Sequence, residues 1–154
     1  MIIILDFKET ISRLTKKYNT SDPFELANAL KIVVLFENLG TINGYYNNPF
    51  RIKQIHINNT LDAHEATFTC AHELGHAIFH PNASTPFLRS KTMISVDKME
   101  TEANAFALNL LISDHMILEN INYTTEQLAR ILGYSQSLIE LRLRTFSLNQ
   151  NKIS

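Results

Sequence analysis

One pentapeptide constrains this chain more than anything else in it. Residues 72–76 read His72-Glu73-Leu74-Gly75-His76, an H-E-x-x-H pattern inside a segment with helix punctuation at both ends. Asp62-x-x-Glu65 has the form of a capping box that opens a helix, and Pro81 stops it near His80. Residues four apart on a helix share one face, about one turn apart. His72 and His76 can therefore bind one metal ion at ~2.0–2.1 Å. Glu73, one position along from His72, approaches a water at the metal rather than the metal itself, which is the placement of a general base. A zinc site of this kind needs a third protein ligand and an open fourth position.

The candidates for that third ligand lie in Met99-Glu100-Thr101-Glu102-Ala103-Asn104-Ala105-Phe106-Ala107-Leu108-Asn109-Leu110-Leu111. The apolar stripe of this helix runs through Ala103, Ala107, Leu110 and Leu111, and Glu100 sits on it. A Glu on an apolar stripe is costly unless it is paired or coordinated. Glu100 is the preferred ligand. Glu102, ~200° around the helix from it, is the alternative, and otherwise a solvated helix charge. Asn104, four residues after Glu100, is placed to hydrogen-bond the second ring nitrogen of a ligating histidine.

The other histidines read more plainly. His80 shares roughly the face of His72, but as a fourth ligand it would fill the open position, so it reads as a helix-end histidine. His56, His64 and His115 have no partner at ligand spacing and read as surface or packing residues. Cys70 lies ~200° from His72 on the helix and reads as a buried small hydrophobe. Tyr45, Tyr46, Arg51 and His115 are candidates for an oxyanion donor, each with an ordinary structural reading beside it.

The rest of the chain has to house one helix-borne site in a modest core. At 154 residues, with 45% hydrophobic and 19% charged residues, it reads as ordinary globular protein. Lys+Arg 14 against Asp+Glu 15 gives a net charge of −1, so no basic bias points to nucleic acid. One cysteine makes no internal disulfide, which argues for a reducing compartment. The opening Met1–Leu5 run ends at Asp6, too short for a signal peptide, and no run approaches a membrane span. A soluble, cytoplasmic protein is expected.

Phe7, Ile11, Leu14 and Tyr18 mark a helix over 6–18, and Asp22-Pro23-Phe24-Glu25 starts another that ends near Leu30. Residues 32–36 read as a buried strand. Tyr45-Tyr46 and 51–58 read as further strands, the latter able to pair with an extended substrate. Residues 81–96 read as a loop over a surface or cleft, followed by a helix over 97–112 and two short helices near 125–132 and 136–146. Helices, a small sheet, then helices make the class α+β. A division into residues 1–120 and a C-terminal segment 121–154 packed on them is expected.

That C-terminal segment has helix-turn-helix spacing, with Ala129, Gly133 and Ile139 at the small, turn and core positions. Its charges are Arg130, Arg142, Arg144 and Lys152 against Glu126 and Glu140, a net of +2. The second helix offers Gln136, Ser137 and Glu140 near its start, a poor reader of phosphate or guanine. A packing or docking role is preferred to DNA binding.

Two separated motifs now agree with one family. Phe68-Thr69-x-Ala71-His72-Glu73-Leu74-Gly75-His76 with Glu100-x-Glu102-Ala103-Asn104-x-Phe106-Ala107-x-x-Leu110-Leu111 resembles the ImmA/IrrE metallo-endopeptidases, over roughly residues 44–145. The resemblance implies a compact zincin-like core with one Zn²⁺ held by His72, His76 and one Glu, and Glu73 as base. It also implies a protein substrate: a helix-turn-helix repressor whose cleavage switches on genes of a phage or mobile element. The family usually closes its second motif with Leu-Leu-Met-Pro. This chain has Leu110-Leu111-Ile112-Ser113, a departure at the helix exit and away from the metal. The competing class of function is a DNA-binding transcription regulator with a sensory or inactive metal site. A metal hydrolase for small molecules is a third, which the resemblance disfavours.

Overall fold

The computed structural model describes residues 4–88 and 93–150. Its helices begin where the sequence supplies caps. After α1 (Ile4–Tyr18), Asp22 accepts the Phe24 N–H at 2.9 Å and Pro23 takes the first position of α2 (Pro23–Ala29). The Asp62/Glu65 box is closed in both directions at the head of α3 (Ala63–Phe79).

Three strands, β1 (Val33–Glu37), β2 (Gly44–Asn47) and β3 (Gln54–Asn58), form one sheet in the order β1-β3-β2. β3 runs parallel to β1, with Leu35 opposite His56, and antiparallel to β2, with Tyr46 opposite Ile55. This central position overturns the expectation that 51–58 receives a substrate strand, because both of its edges are already paired. It also explains the weak alternation of that segment: Ile55, His56, Ile57 and Asn58 are all buried. His56 is held by Glu37, Asn47 and Gln54 and stacks on Tyr45 at 4.2 Å, a packing residue of the sheet.

The segment expected as loop over 81–96 carries a short helix, α4 (Thr85–Leu88), and α5 (Met93–Leu111) starts a turn earlier than its apolar stripe suggests. The part of that expectation falling on 89–92 lies outside the described residues. The departure at Ile112-Ser113 has a structural consequence. Ser113 accepts the Met116 N–H at 3.2 Å and starts α6 (Asp114–Glu119), which periodicity did not reveal because it is six residues long. Thr124 and Gln127 box the start of α7 (Thr125–Leu132), Gly133 turns the chain in the left-handed region (φ 78°), and α8 (Gln136–Gln150) follows.

Two buried clusters result. The larger joins α1, α2, the sheet, α3 and α5 through Phe7, Leu26, Tyr46, Ile55, Leu74 and Phe106, among others. The second joins the end of α5 to α6–α8 through Leu108, Ile112, Ile117, Leu128 and Ile139. Beside it the buried Arg142 donates to the Ile112 carbonyl at 2.9 Å and to Asp114 at 2.7 Å. Among the described residues no helix is long and apolar enough to cross a membrane.

The contact that matters most for the site is α3 against α5. A Cβ at Gly75 would lie 3.1 Å from a Phe106 ring carbon and 3.2 Å from Ala103 Cα. Any Cβ here would press on α5, so glycine lets the two helices approach this closely without displacing a neighbour. Gly75→Val is expected to destabilise the fold by about 1–3 kcal/mol through overpacking. It should also weaken metal binding, since it forces α5 off the helix that carries the histidines. Denaturant melts and metal titration of the same variant check both effects.

Candidate metal centre

His72 and His76 project from one face of α3 towards α5. Their Nε2 atoms lie 3.2 and 3.0 Å from the two carboxylate oxygens of Glu100. Two donors each ~2.0–2.1 Å from one tetrahedral ion stand roughly 3.3 Å apart. Both imidazole–carboxylate separations are thus what a cation of that size requires. Glu73 belongs to the same cluster: ligand-capable atoms of His72, Glu73 and His76 lie within 4.8 Å of one another. Glu73 is 5% exposed and His76 fully buried, an arrangement too costly to persist without charge compensation.

The helix contact explains why both acidic residues of α5 reach α3. Ala103 faces Gly75. Glu100 lies ~60° to one side of Ala103 around the helix and Glu102 ~100° to the other. The two carboxylates straddle the contact line. Glu100 meets His72 and His76, and Glu102 meets His80 at 2.6 Å. Glu102 therefore bonds His80 and is not a solvated charge, since only 13% of its side chain is exposed. Asn104 stands where its spacing from Glu100 places it: the His72 Nδ1–H donates to its Oδ1 at 2.7 Å.

Charge in the cluster is tightly coupled. Burial opposes protonation of His72, but the hydrogen bond to Glu100 and the charges of Glu73 and Glu100 outweigh it and raise its pKa. Burial dominates at His76, helped by the neighbouring His72 and His80, and lowers its pKa despite Glu100. Burial works against the Glu100 carboxylate, yet its bonds to both imidazoles hold its pKa well below the usual carboxylate range. Glu100 stays an anion, ready to neutralise a cation. Cys70 is buried as expected, and burial first, then Asp22 and Glu73, pushes its thiol up to about 12.

The cluster opens into a cavity of about 810 Å³ between α3, β2 and α4, walled by Tyr45, Asn47, Phe68 and Pro86 among others. The side of β2 away from β3 faces it. There Thr85 takes the place of a neighbouring strand, accepting the Tyr46 N–H at 2.7 Å and donating to the Tyr46 carbonyl at 3.3 Å. Of the candidate oxyanion donors, Tyr45 lines the cavity, whereas the Tyr46 hydroxyl is committed to the Pro81 carbonyl at 2.7 Å. His115 is 79% exposed and paired with Glu119, and Arg51 is exposed on the turn before β3. His64, at the far end of α3, accepts no ligand role either: its Nε2–H donates to the Leu132 carbonyl at 2.9 Å and its ring meets Tyr134, tying the α7–α8 turn to α3.

Comparison with known proteins finds matches over most of the chain. The peptidase M78 model, described as the IrrE N-terminal-like domain, matches residues 27–144. The chain is 44% identical over 138 residues to Uncharacterized immunity region protein 2 of Bacillus phage phi105, covering 88% of this chain and 87% of that one. It is 28% identical over 152 residues to Metallopeptidase ImmA of Bacillus subtilis strain 168, covering 95% and 89%.

Proposed function

The chain belongs to the IrrE N-terminal-like peptidase family, and on that premise we propose that it is a zinc-dependent endopeptidase acting on a helix-turn-helix repressor in the cytoplasm. Membership carries a metallopeptidase role with a divalent metal. The choice of zinc, the residue roles and the substrate are the proposal. The observation that supports it best is the Glu100 carboxylate spanning both Nε2 atoms at 3.0 and 3.2 Å from a different helix. His72, His76 and Glu100 are the ligands in this reading. Glu73, which shares α3 with the histidines, is the base.

When bound, a divalent cation in such a cage acts as a Lewis acid and brings the pKa of water towards ~7. Glu73 takes a proton on a carboxylate oxygen as water attacks the scissile carbonyl carbon, then returns it to the departing amine nitrogen. Asn104 fixes the ring of His72, whose Nδ1–H it accepts, so that Nε2 faces the site. The edge of β2 away from β3 offers an extended peptide the backbone of Tyr46, provided the Thr85 hydroxyl that holds it gives way.

The proposed substrate draws on the immunity-region name of the phage relative. The test is co-expression with a helix-turn-helix repressor encoded beside the gene. Discrete fragments are expected, and an intact repressor in the presence of zinc would remove that substrate from consideration. The α7–Gly133–α8 joint supports a second reading, a DNA-binding regulator. Salt-dependent duplex binding untouched by Glu73→Gln would favour it. The opening of α8 counts against it, because Ser135 bonds Ser137 and Gln136 bonds Glu140 instead of presenting free donors.

A further inference from the structure

His76 carries a second set of contacts that the catalytic reading leaves unused. Its Nδ1 lies 2.9 Å from His80 Nδ1, and His80 Nε2 lies 2.6 Å from the Glu102 carboxylate. The side chains of His80 and Glu102 are only 8% and 13% exposed, so a charged or strongly polar pair has been buried beside the site.

We infer that Glu102 and His80 form a hydrogen-bond relay that holds His76 in its metal-binding tautomer; the inference rests on the proposed ligand role of His76. Nε2 of His76 can give its lone pair to a cation only when the ring proton is on Nδ1. That proton then needs an acceptor, because His76 is fully buried. The nearest is Nδ1 of His80. A neutral imidazole that accepts at Nδ1 carries its own proton on Nε2, and there the Glu102 carboxylate accepts it. With a cation in place of the proton that Nε2 of His76 otherwise gives to Glu100, each link fixes the next, and the Glu102 anion at the far end favours the tautomer that leaves Nε2 free to bind. His72 is served separately by Asn104, so the two histidines have independent orienting partners, one an amide and one a histidine–carboxylate pair. His80 and Glu102 are positioning residues in this scheme and touch neither substrate nor ion.

The experiment measures zinc affinity by competition with a chromophoric chelator, and the imidazole ¹⁵N shifts of the zinc-loaded protein. Wild type is expected to bind one equivalent with the His76 proton on Nδ1. His80→Leu removes the acceptor and should weaken zinc about 10–100-fold. His80→Asn puts an amide oxygen where Nδ1 was and should recover most of that loss. Glu102→Ala should weaken zinc severalfold without emptying the site. If His80→Leu and His80→Asn bind equally, or if His76 carries its proton on Nδ1 unchanged in shift in all variants, the relay is wrong. If His80→Leu does not fold, His80→Asn and Glu102→Ala decide: wild-type affinity in Glu102→Ala overturns the relay. Failure of wild type itself to bind zinc would instead strike the metal-site reading beneath it.

Discussion

Glu73→Gln is expected to abolish peptide cleavage, by about 10²–10⁴-fold at least, while one equivalent of metal stays bound. Gln has nearly the same shape as Glu, so the buried site keeps its packing, but its amide cannot take a proton from water. Metal content is the discriminating readout. Glu73 sits in the same cluster of donor atoms as His72 and His76, so it competes with Glu100 for the role of third ligand. A base can be replaced without loss of the ion, whereas a ligand cannot. Loss of both metal and activity in Glu73→Gln would exchange the roles of the two carboxylates. A further consequence follows from charge. Burial works against protonation of His72, and the Glu100 hydrogen bond followed by the charge of Glu73 outweighs it and raises the pKa. Removing that charge should let His72 lose its proton at lower pH in the metal-free protein, a shift visible by histidine NMR.

How far the sequence carries can be judged residue by residue. The helix bearing the pentapeptide is announced by local chemistry, an Asp62/Glu65 box and a proline stop, and local chemistry is what a sequence displays directly. Glu100 stands out because a carboxylate on an apolar stripe demands a partner, and the partner is the histidine pair. The α+β class follows from the order of elements. Sheet order does not, because the position of β3 between β1 and β2 depends on long-range pairing. For the same reason Glu102 is misread as a solvated charge, and the partner of His80, which does cap the end of α3 as expected, is missed. Each is unremarkable within its own helix, as a helix-end histidine and a helix charge. They become a buried pair only through the register of α3 on α5 that Gly75 permits. The signal that was available is the i, i+4 spacing of His76 and His80, which puts their rings side by side once His76 is assigned a role. The left-handed backbone at Phe50 and Arg51 (φ 53° and 64°) has no signal in those residue types, which rarely adopt it.

The second large effect is expected at Glu100. Glu100→Ala removes the α5 side chain that bonds the Nε2 atoms of both His72 and His76. It also leaves two imidazoles in a buried pocket without the carboxylate that balances a cation. Zinc binding should fall to a trace, cleavage should vanish with it, and added zinc should not restore either. A thermal melt reports the same loss without any substrate. A ligand that binds only the folded state at a hundred times its dissociation constant adds about 2.7 kcal/mol. For a chain of this size that is roughly 5–10 °C in melting temperature. Wild type should show such a rise when zinc is added after chelation, and Glu100→Ala should show none. Glu102→Ala is the control that gives the result its meaning. Its carboxylate faces His80 rather than the histidine pair, so with saturating zinc it should keep one equivalent and most of the rise. If Glu102→Ala empties the site while Glu100→Ala still melts higher with zinc, the third ligand lies on the other side of the α3–α5 contact.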